Sequence, residues 1–228
     1  MVKNDPQFNN FKIHTQYSIC EGAIKIDDLS SYCKTNKIKS AGICDSYNLC
    51  GALEFAEKIS KSGTQPIIGS QINFIIDGVI GKLPIFATNE VGYKNLTKLS
   101  SKSYLDGNST LEPHCKIDDL CQENEGLLIL SGNQFDLFGK LFKLNKLQLI
   151  EKNIKNLKKT FNDKFYLEIQ RHNEREEKNF EIYLINLSLK YNLPLIASQE
   201  VYYLQKNMAE AHDALMCIGE KAFVDDPK

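Results

Sequence analysis

Short apolar runs alternate along the chain with stretches in which apolar residues recur at helical spacing. The apolar runs predict strands at 11–14, 41–44, 66–76, 83–87, 127–130, 165–169 and 194–197. Helical spacing predicts helices over about 26–33, 49–59, 90–104, 147–157 and 208–218. Asp77-Gly78 predicts a hairpin turn between the third and fourth strands, and 105–113 reads as a loop. Strand–helix alternation over the whole length predicts an α/β fold with a mainly parallel sheet, open or closed into a barrel.

Polar residues follow the ends of several of these strands. They are His14, Asp45, Gln71, Asn133, His172 and Glu200. Ligands and chemistry belong at the carboxyl ends of parallel strands, in open sheets as in barrels. Two imidazoles with one or two carboxylates can bind a metal ion. Such residues also line the polar rim of a barrel for solubility alone, and spacing by itself favours this second interpretation.

Composition and charge exclude several classes of protein. The 228 residues are 42% hydrophobic and carry a net charge of -1, which is typical of a globular domain and gives no global attraction to nucleic acid. The seven cysteines contain no Cys-x-x-Cys pair, so neither a disulfide framework nor a zinc ribbon is predicted. The start of the chain has no apolar signal core, and no apolar run approaches the length of a membrane span. The sequence therefore predicts a cytoplasmic protein without a membrane partner.

One segment is locally basic. Between Lys140 and Lys164 there are eight lysines and two acids, Glu151 and Asp163. This segment is either a phosphate-contacting surface or the solvated side of an amphipathic helix. No exposed aromatic residues are interleaved with the lysines, as they are in a single-strand binding groove, and this favours the solvated helix.

Several long motifs resemble a known family, and they occur in the same order. They are FKIHTQYSICEGAIKIDDL, ICDSYNLCGALEFAEK, PIIGSQINF, NEVGYKNLTKLSS, LILSGN, YLEIQRHN, PLIASQEVYYL and AEAHDALMCIG. Together they resemble the PHP (polymerase and histidinol phosphatase) domain that begins the alpha subunit of bacterial DNA polymerase III. The resemblance spans essentially the whole chain. It implies a distorted (β/α)7-like barrel of the PHP type, with residues 1–228 forming a single PHP domain, an N-terminal fragment of a longer polymerase subunit.

The resemblance also identifies candidate metal ligands, because metal-binding members of the family hold a metal cluster at the strand ends. His14, Asp45 and His172 match ligand positions, and Glu200 is a conservative change. The other five ligand positions are occupied by Lys12, Ser46, Gln71, Asn133 and Tyr202. Neutral oxygen donors bind transition metals poorly, and an ammonium group repels a divalent cation. We therefore expect no catalytic residue and no resident cofactor, although the four retained positions leave room for one residual ion (Zn²⁺, Mn²⁺ or Mg²⁺).

A lysine at a former ligand position suggests a replacement for the metal. A buried carboxylate without a counter-ion is destabilising by several kcal/mol. We hypothesise that Lys12 is the counter-ion of Asp45, Glu200 or both.

The resemblance implies a function for the parent protein and a different one for this domain. The parent would be a DNA-directed DNA polymerase, a nucleotidyltransferase of DNA replication that uses Mg²⁺. This domain would be a structural module that contacts the remainder of the alpha subunit, docks the proofreading exonuclease subunit and meets DNA only through the parent. The main alternative is a metal-dependent phosphoesterase or 3′–5′ exonuclease with a reduced site. A free-standing phosphatase of the histidinol-phosphate type is disfavoured by the polymerase-like motifs at both ends.

Overall fold

The computed structural model describes residues 8–105, 110–224 and 226, which form two compact units. The first unit contains the chain up to Asp45, then Cys50–Ile68 and the part from Glu200 onward. The second contains Ser46–Leu49 and Gly69–Gln199. The assignment of residues 1–228 to one domain stays a prediction.

The helices and strands alternate along the chain. The strands are β1 (Lys12–Ile13), β2 (Ser40–Ser46), β3 (Gln65–Ile76), β4 (Val79–Ala87), β5 (Cys115–Lys116), β6 (Leu127–Leu130), β7 (Phe165–Ile169), β8 (Leu195–Ala197) and β9 (Glu200–Val201). The helices are α1 (Ile26–Thr35), α2 (Ala52–Lys61), α3 (Glu90–Leu105), α4 (Ile117–Gln122), α5 (Leu137–Lys143), α6 (Leu147–Phe161), α7 (Glu177–Tyr191) and α8 (Ala209–Glu220). All seven predicted strands are present. Part of the loop predicted at 105–113, residues 106–109, lies outside the described residues.

In the first unit, β1 is hydrogen-bonded in parallel to β2 on one side and to β9 on the other. The register places Lys12 opposite Glu200, so the pairing of β1 with β9 itself brings these two residues side by side. Helix α2 buries Ala52, Phe55 and Ile59, spaced as one face of an amphipathic helix. The core consists of Ile13, Ile24, Ile26, Leu29, Cys33, Ala41, Ile43, Phe55 and Ile59.

In the second unit, the strands are ordered β8-β7-β6-β4-β3, and β5 pairs with β3. Strands β6, β7 and β8 are parallel, whereas β4 is antiparallel to both β3 and β6. The predicted Asp77-Gly78 turn joins β3 to β4, with φ of 49° and 77° at the two residues. Left-handed backbone at both positions matches the twist of a two-residue hairpin, which explains why this dipeptide ends β3.

The length and hydrophobicity of the described helices can be compared with those of a membrane-spanning helix. None of the helices in the described ranges is both long enough and apolar enough to cross a membrane.

Candidate functional site

Lys12, His14 and Glu200 lie together at the neighbouring ends of β1 and β9 in the first unit. The side chains of Lys12 and His14 are fully buried, and that of Glu200 is 11% exposed. Lys12 Nζ lies 3.1 Å from Glu200 Oε1, and His14 Nε2 lies 3.7 Å from the same oxygen. An ammonium group therefore lies in ion-pair contact with the glutamate within this unit. The structure agrees with the hypothesis that Lys12 is a counter-ion of Glu200.

Asp45, at the end of β2, holds the loop that follows β1. Its Oδ1 accepts hydrogen bonds from the Thr15 N–H (2.6 Å) and the Ser18 hydroxyl (2.7 Å), and its Oδ2 accepts one from the Thr15 hydroxyl (2.7 Å). Burial raises the pKa of Asp45, and the hydrogen bonds from Ser18 and Thr15 oppose that shift. Gly22 lets the loop close, since a Cβ there would lie 2.0 Å from the Thr15 carbonyl oxygen. Both carboxylate oxygens of Asp45 are therefore engaged in organising the loop.

Tyr202 stacks on His14. The two ring centroids are 4.4 Å apart with an interplanar angle of 17°, and the Tyr202 hydroxyl donates to Glu200 Oε2 at 3.2 Å. His212 of α8 contacts the Tyr202 ring at 5.6 Å and donates from Nε2 to the Glu21 carbonyl at 2.7 Å. The tyrosine at a family ligand position thus contributes to aromatic packing, and His212 is a packing residue on a helix.

His172 and Asn133 meet in the second unit through Gln170. Gln170 Oε1 lies 3.0 Å from His172 Nε2 and 3.4 Å from Asn133 Nδ2. The amide nitrogen of Gln170 donates to Oε1 of the buried Glu168 at 2.8 Å, and the Ser198 hydroxyl donates to the same oxygen. A carbonyl oxygen only accepts, so Nε2 of His172 carries the proton in this arrangement.

In the second unit, a second lysine lies beside Ser46. Lys82 of β4 donates to the Ser46 hydroxyl at 2.9 Å and lies 4.9 Å from the centre of the Tyr47 ring. Gln71 is buried, and its backbone carbonyl accepts from the Tyr47 N–H at 2.8 Å.

The predicted site residues are thus divided between the two units. Five lie in the first unit: Lys12, His14, Asp45, Glu200 and Tyr202. Four lie in the second: Ser46, Gln71, Asn133 and His172. Their role as vestigial ligand positions stays a prediction.

These groups fit a metal cluster poorly. Within the described ranges, no set of three or more His, Cys, Asp or Glu side chains is placed to hold a metal ion. The oxygens of Asp45 accept from Thr15 and Ser18, Nε2 of His172 is bonded to Gln170, and Lys12 lies against Glu200. The ammonium group of Lys12 lies beside Glu200 where a metal ion would need to bind, and the two cations would repel each other.

Sequence reasoning missed four residues that support these positions. They are Thr15, Lys82, Glu168 and Gln170. The signal for Lys82 is a lysine inside the apolar run of β4. The signal for Glu168 and Gln170 is polar residues within and directly after the buried strand β7, where an unpartnered polar group would be destabilising.

Replacing Ser18 with alanine tests the loop interaction. The change removes the hydrogen bond to Asp45 and the contact with His14 Nδ1 (3.3 Å) inside a buried cluster. We expect a loss of about 1–2 kcal/mol in the free energy of unfolding, measured by urea denaturation. Ser101→Ala, at an exposed position of α3, is the matched control and should change the stability by less than about 0.5 kcal/mol. Equal effects of the two changes would contradict the role given to Ser18.

Comparisons with known proteins identify the family. The model of the PHP domain family matches residues 10–172. The DNA polymerase III subunit alpha of Caulobacter vibrioides is 35% identical over 227 residues, which is 95% of this chain and 20% of that protein. The subunit of the same name from Vibrio cholerae is 30% identical over 228 residues, 99% of this chain and 20% of that protein. The chain thus spans about a fifth of the length of these relatives.

Solved structures of low sequence identity share the fold. A putative metal-dependent phosphoesterase from Bifidobacterium adolescentis has a TM-score of 0.56 at 12% identity, covering 87% of this chain and 90% of that one. An amidohydrolase from Chromobacterium violaceum, in a structure with bound sulfate and no metal, has a TM-score of 0.55 at 9% identity, covering 85% of this chain and 87% of that one. These likenesses confirm the predicted α/β fold of the PHP type.

Proposed function

The chain belongs to the PHP domain family, and we propose that it is the N-terminal PHP module of a DNA polymerase III alpha subunit. It is homologous to that subunit over nearly its whole length and shares its fold with PHP-type phosphoesterases. In this proposal, the parent protein carries out DNA-templated DNA synthesis with Mg²⁺ during replication in the cytoplasm. The module itself contributes structure and docking, and it has no catalytic residue.

The observation that carries the proposal is the position of Lys12. A fully buried ammonium lies 3.1 Å from the Glu200 carboxylate, at a position where metal-binding members of the family have a ligand. A divalent ion in contact with Glu200 would be close to that positive charge, and the two cations would repel each other. The lysine compensates the negative charge of the buried glutamate without a metal ion, which supports a structural module rather than a metal-dependent hydrolase.

The partners follow from the parent protein. The remainder of the alpha subunit is the context in which the homologous region occurs, since the relatives are about five times as long as the matched part. A module without hydrolytic activity needs proofreading from elsewhere. We therefore propose a separate proofreading exonuclease subunit as the docked partner, with DNA reached through the parent.

A second function has one observation in its favour. Nε2 of the buried His14 has no hydrogen-bond partner among the described residues, and it lies 3.7 Å from Glu200. An imidazole nitrogen directed at a carboxylate is half of a metal site. This geometry favours a metal-dependent phosphoesterase or 3′–5′ exonuclease that retains a reduced site and binds one Zn²⁺, Mn²⁺ or Mg²⁺.

Metal content and hydrolysis separate the two functions. For protein purified without chelator, we expect far less than one transition-metal ion per chain by mass spectrometry. We also expect no hydrolysis of p-nitrophenyl phosphate or of a 3′-labelled oligonucleotide above the rate without protein. Stoichiometric metal, with hydrolysis lost in His14→Ala and kept in His114→Ala, would establish the second function instead. His114 is the matched control because it contacts the Glu112 carbonyl, outside the candidate site.

A further inference from the structure

Helix α6 presents a continuous basic surface. Its buried residues Ile150, Ile154, Leu157 and Phe161 occupy one side of the helix. On the opposite side lie the exposed residues Lys152, Lys155 and Lys159, which we call the lysine face. They are spaced i, i+3 and i+7, so they form one row along the helix. Gln148 and Asn156, exposed beside this row, are uncharged, and Glu151, the acidic residue of α6, is ion-paired with Lys190.

The neighbouring helix α7 places an aromatic ring beside these lysines. Lys155 and Lys190 lie 5.3 and 5.2 Å from the centre of the Tyr191 ring, and Lys158 donates to the Tyr191 carbonyl. Glu151 accepts from Lys190 at 2.8 Å and from the Tyr191 hydroxyl. Lys158 thus adds a charge beside the lysine face, whereas the charge of Lys190 is balanced by Glu151. Asp77 and Asp118 line the groove beside Lys152. An aromatic ring lies among these lysines, a feature that the sequence alone did not reveal.

The positive charges of the three lysines in the row are not neutralised by ion pairs within the described ranges. Lys152, Lys155 and Lys159 form no ion pair within the described ranges, unlike Lys146 and Lys190 at the edges of this surface. The whole chain has a net charge of -1, so this local excess is not part of a general basic character. A local excess of exposed positive charge raises the concentration of an anionic partner at the surface.

The geometry points to a nucleic-acid backbone as that partner. With a rise of about 1.5 Å per residue, the row from Lys152 to Lys159 extends about 10 Å along the helix axis. Phosphates of one DNA strand follow each other at about 3.4 Å along the duplex axis, so the row spans about three of them. We propose that the lysine face contacts the phosphate backbone of DNA without reading its sequence. This inference rests on the proposed function, in which the parent protein handles DNA, and adds a direct contact by the module.

The test measures duplex binding as a function of salt. Fluorescence anisotropy with a labelled, mixed-sequence duplex is recorded in EDTA, so that binding is measured whether or not the chain can hydrolyse DNA with metal. The variants are Lys152→Gln/Lys155→Gln/Lys159→Gln and a matched control, Lys34→Gln/Lys39→Gln/Lys61→Gln, which removes three exposed charges in the first unit. Circular dichroism confirms that both variants are folded.

We expect the unaltered chain to bind with a logarithmic salt slope about 2–3 units steeper than that of the lysine-face variant. The control should keep the slope of the unaltered chain. No detectable binding by the unaltered chain at low salt, or equal losses in the two variants, would overturn the proposal. So would displacement of the duplex by poly-glutamate as effectively as by unlabelled duplex at equal charge, because the surface would then fit an acidic protein. Failure of the metal and hydrolysis test would not produce any of these results.

Discussion

Replacing Lys12 with methionine is expected to lower the free energy of unfolding by about 3 kcal/mol or more. Methionine is similar in length but uncharged, so Glu200 would lose a cation 3.1 Å away in a site where the lysine is fully buried. Removing one partner of a buried ion pair is destabilising by about 3–5 kcal/mol, because the other charge stays behind without compensation. The 11% exposure of Glu200 gives its carboxylate some access to water, which places the expectation near the lower end of that range.

A double-mutant cycle separates the ion pair from general effects of the substitution. In Lys12→Met/Glu200→Gln the orphaned charge is gone, so this variant should be more stable than Lys12→Met alone. Urea unfolding of the single and double variants measures the coupling. Lys94→Met is the matched control, since Lys94 pairs with Glu90 on the surface at 2.8 Å with both side chains mostly exposed. It should change the stability by less than about 1 kcal/mol.

The outcome bears directly on the proposed function. If Lys12→Met were as stable as the unaltered chain, the lysine would not be compensating Glu200 and the case for a metal-free module would lose its main support. If the loss appeared only in the single variant and was recovered in the double variant, the lysine would be acting as the cation of this site. The cycle is measured by unfolding and needs no activity assay, so its result is independent of the hydrolysis test.

The strands of the fold were predictable where burial and turn chemistry agree. The apolar runs at β6 and β7 match the observed strands residue for residue, and Asp77-Gly78 marks the end of the hairpin between β3 and β4. The two-residue strand β9 was not predicted. So short a segment has no periodicity of its own, and it is extended because its backbone pairs with β1.

The candidate site was predictable as a set of positions but not as a set of contacts. The motifs identify Asp45 and His172, but they do not say that Thr15 bonds Asp45 or that Gln170 bonds His172. The motifs suggest Lys12 as a counter-ion but leave open which carboxylate it meets, and the register of β1 with β9 sets it opposite Glu200. The contacts of Thr15 with Asp45 and of Lys12 with Glu200 join residues distant in the chain. Gln170 and His172 are only two residues apart, and their bond depends on side-chain orientations that a motif does not specify.

Asp45 stabilises the loop that follows β1 through hydrogen bonds to buried donors. Asp45 accepts three hydrogen bonds within the first unit, from one backbone N–H and the hydroxyls of Thr15 and Ser18. These donors are buried, and the carboxylate of Asp45 is the acceptor that they share. The raised pKa of Asp45 shows that burial disfavours its charge, which means that the hydrogen bonds must offset a desolvation penalty.

We therefore expect Asp45→Ala to lower the free energy of unfolding by about 3–5 kcal/mol. Each unsatisfied buried donor is destabilising by about 1–3 kcal/mol, and relief of the desolvation penalty recovers part of that sum. Asp45→Asn keeps one carbonyl acceptor at nearly the same volume and should lose about half as much, measured by urea unfolding. If alanine and asparagine were equally tolerated, the hydrogen bonds to Thr15 and Ser18 would not be stabilising the loop. The same measurement is repeated with an added divalent metal. If the metal stabilised the unaltered chain but not Asp45→Ala, the difference in stability between them would grow, and Asp45 would instead be identified as a metal ligand.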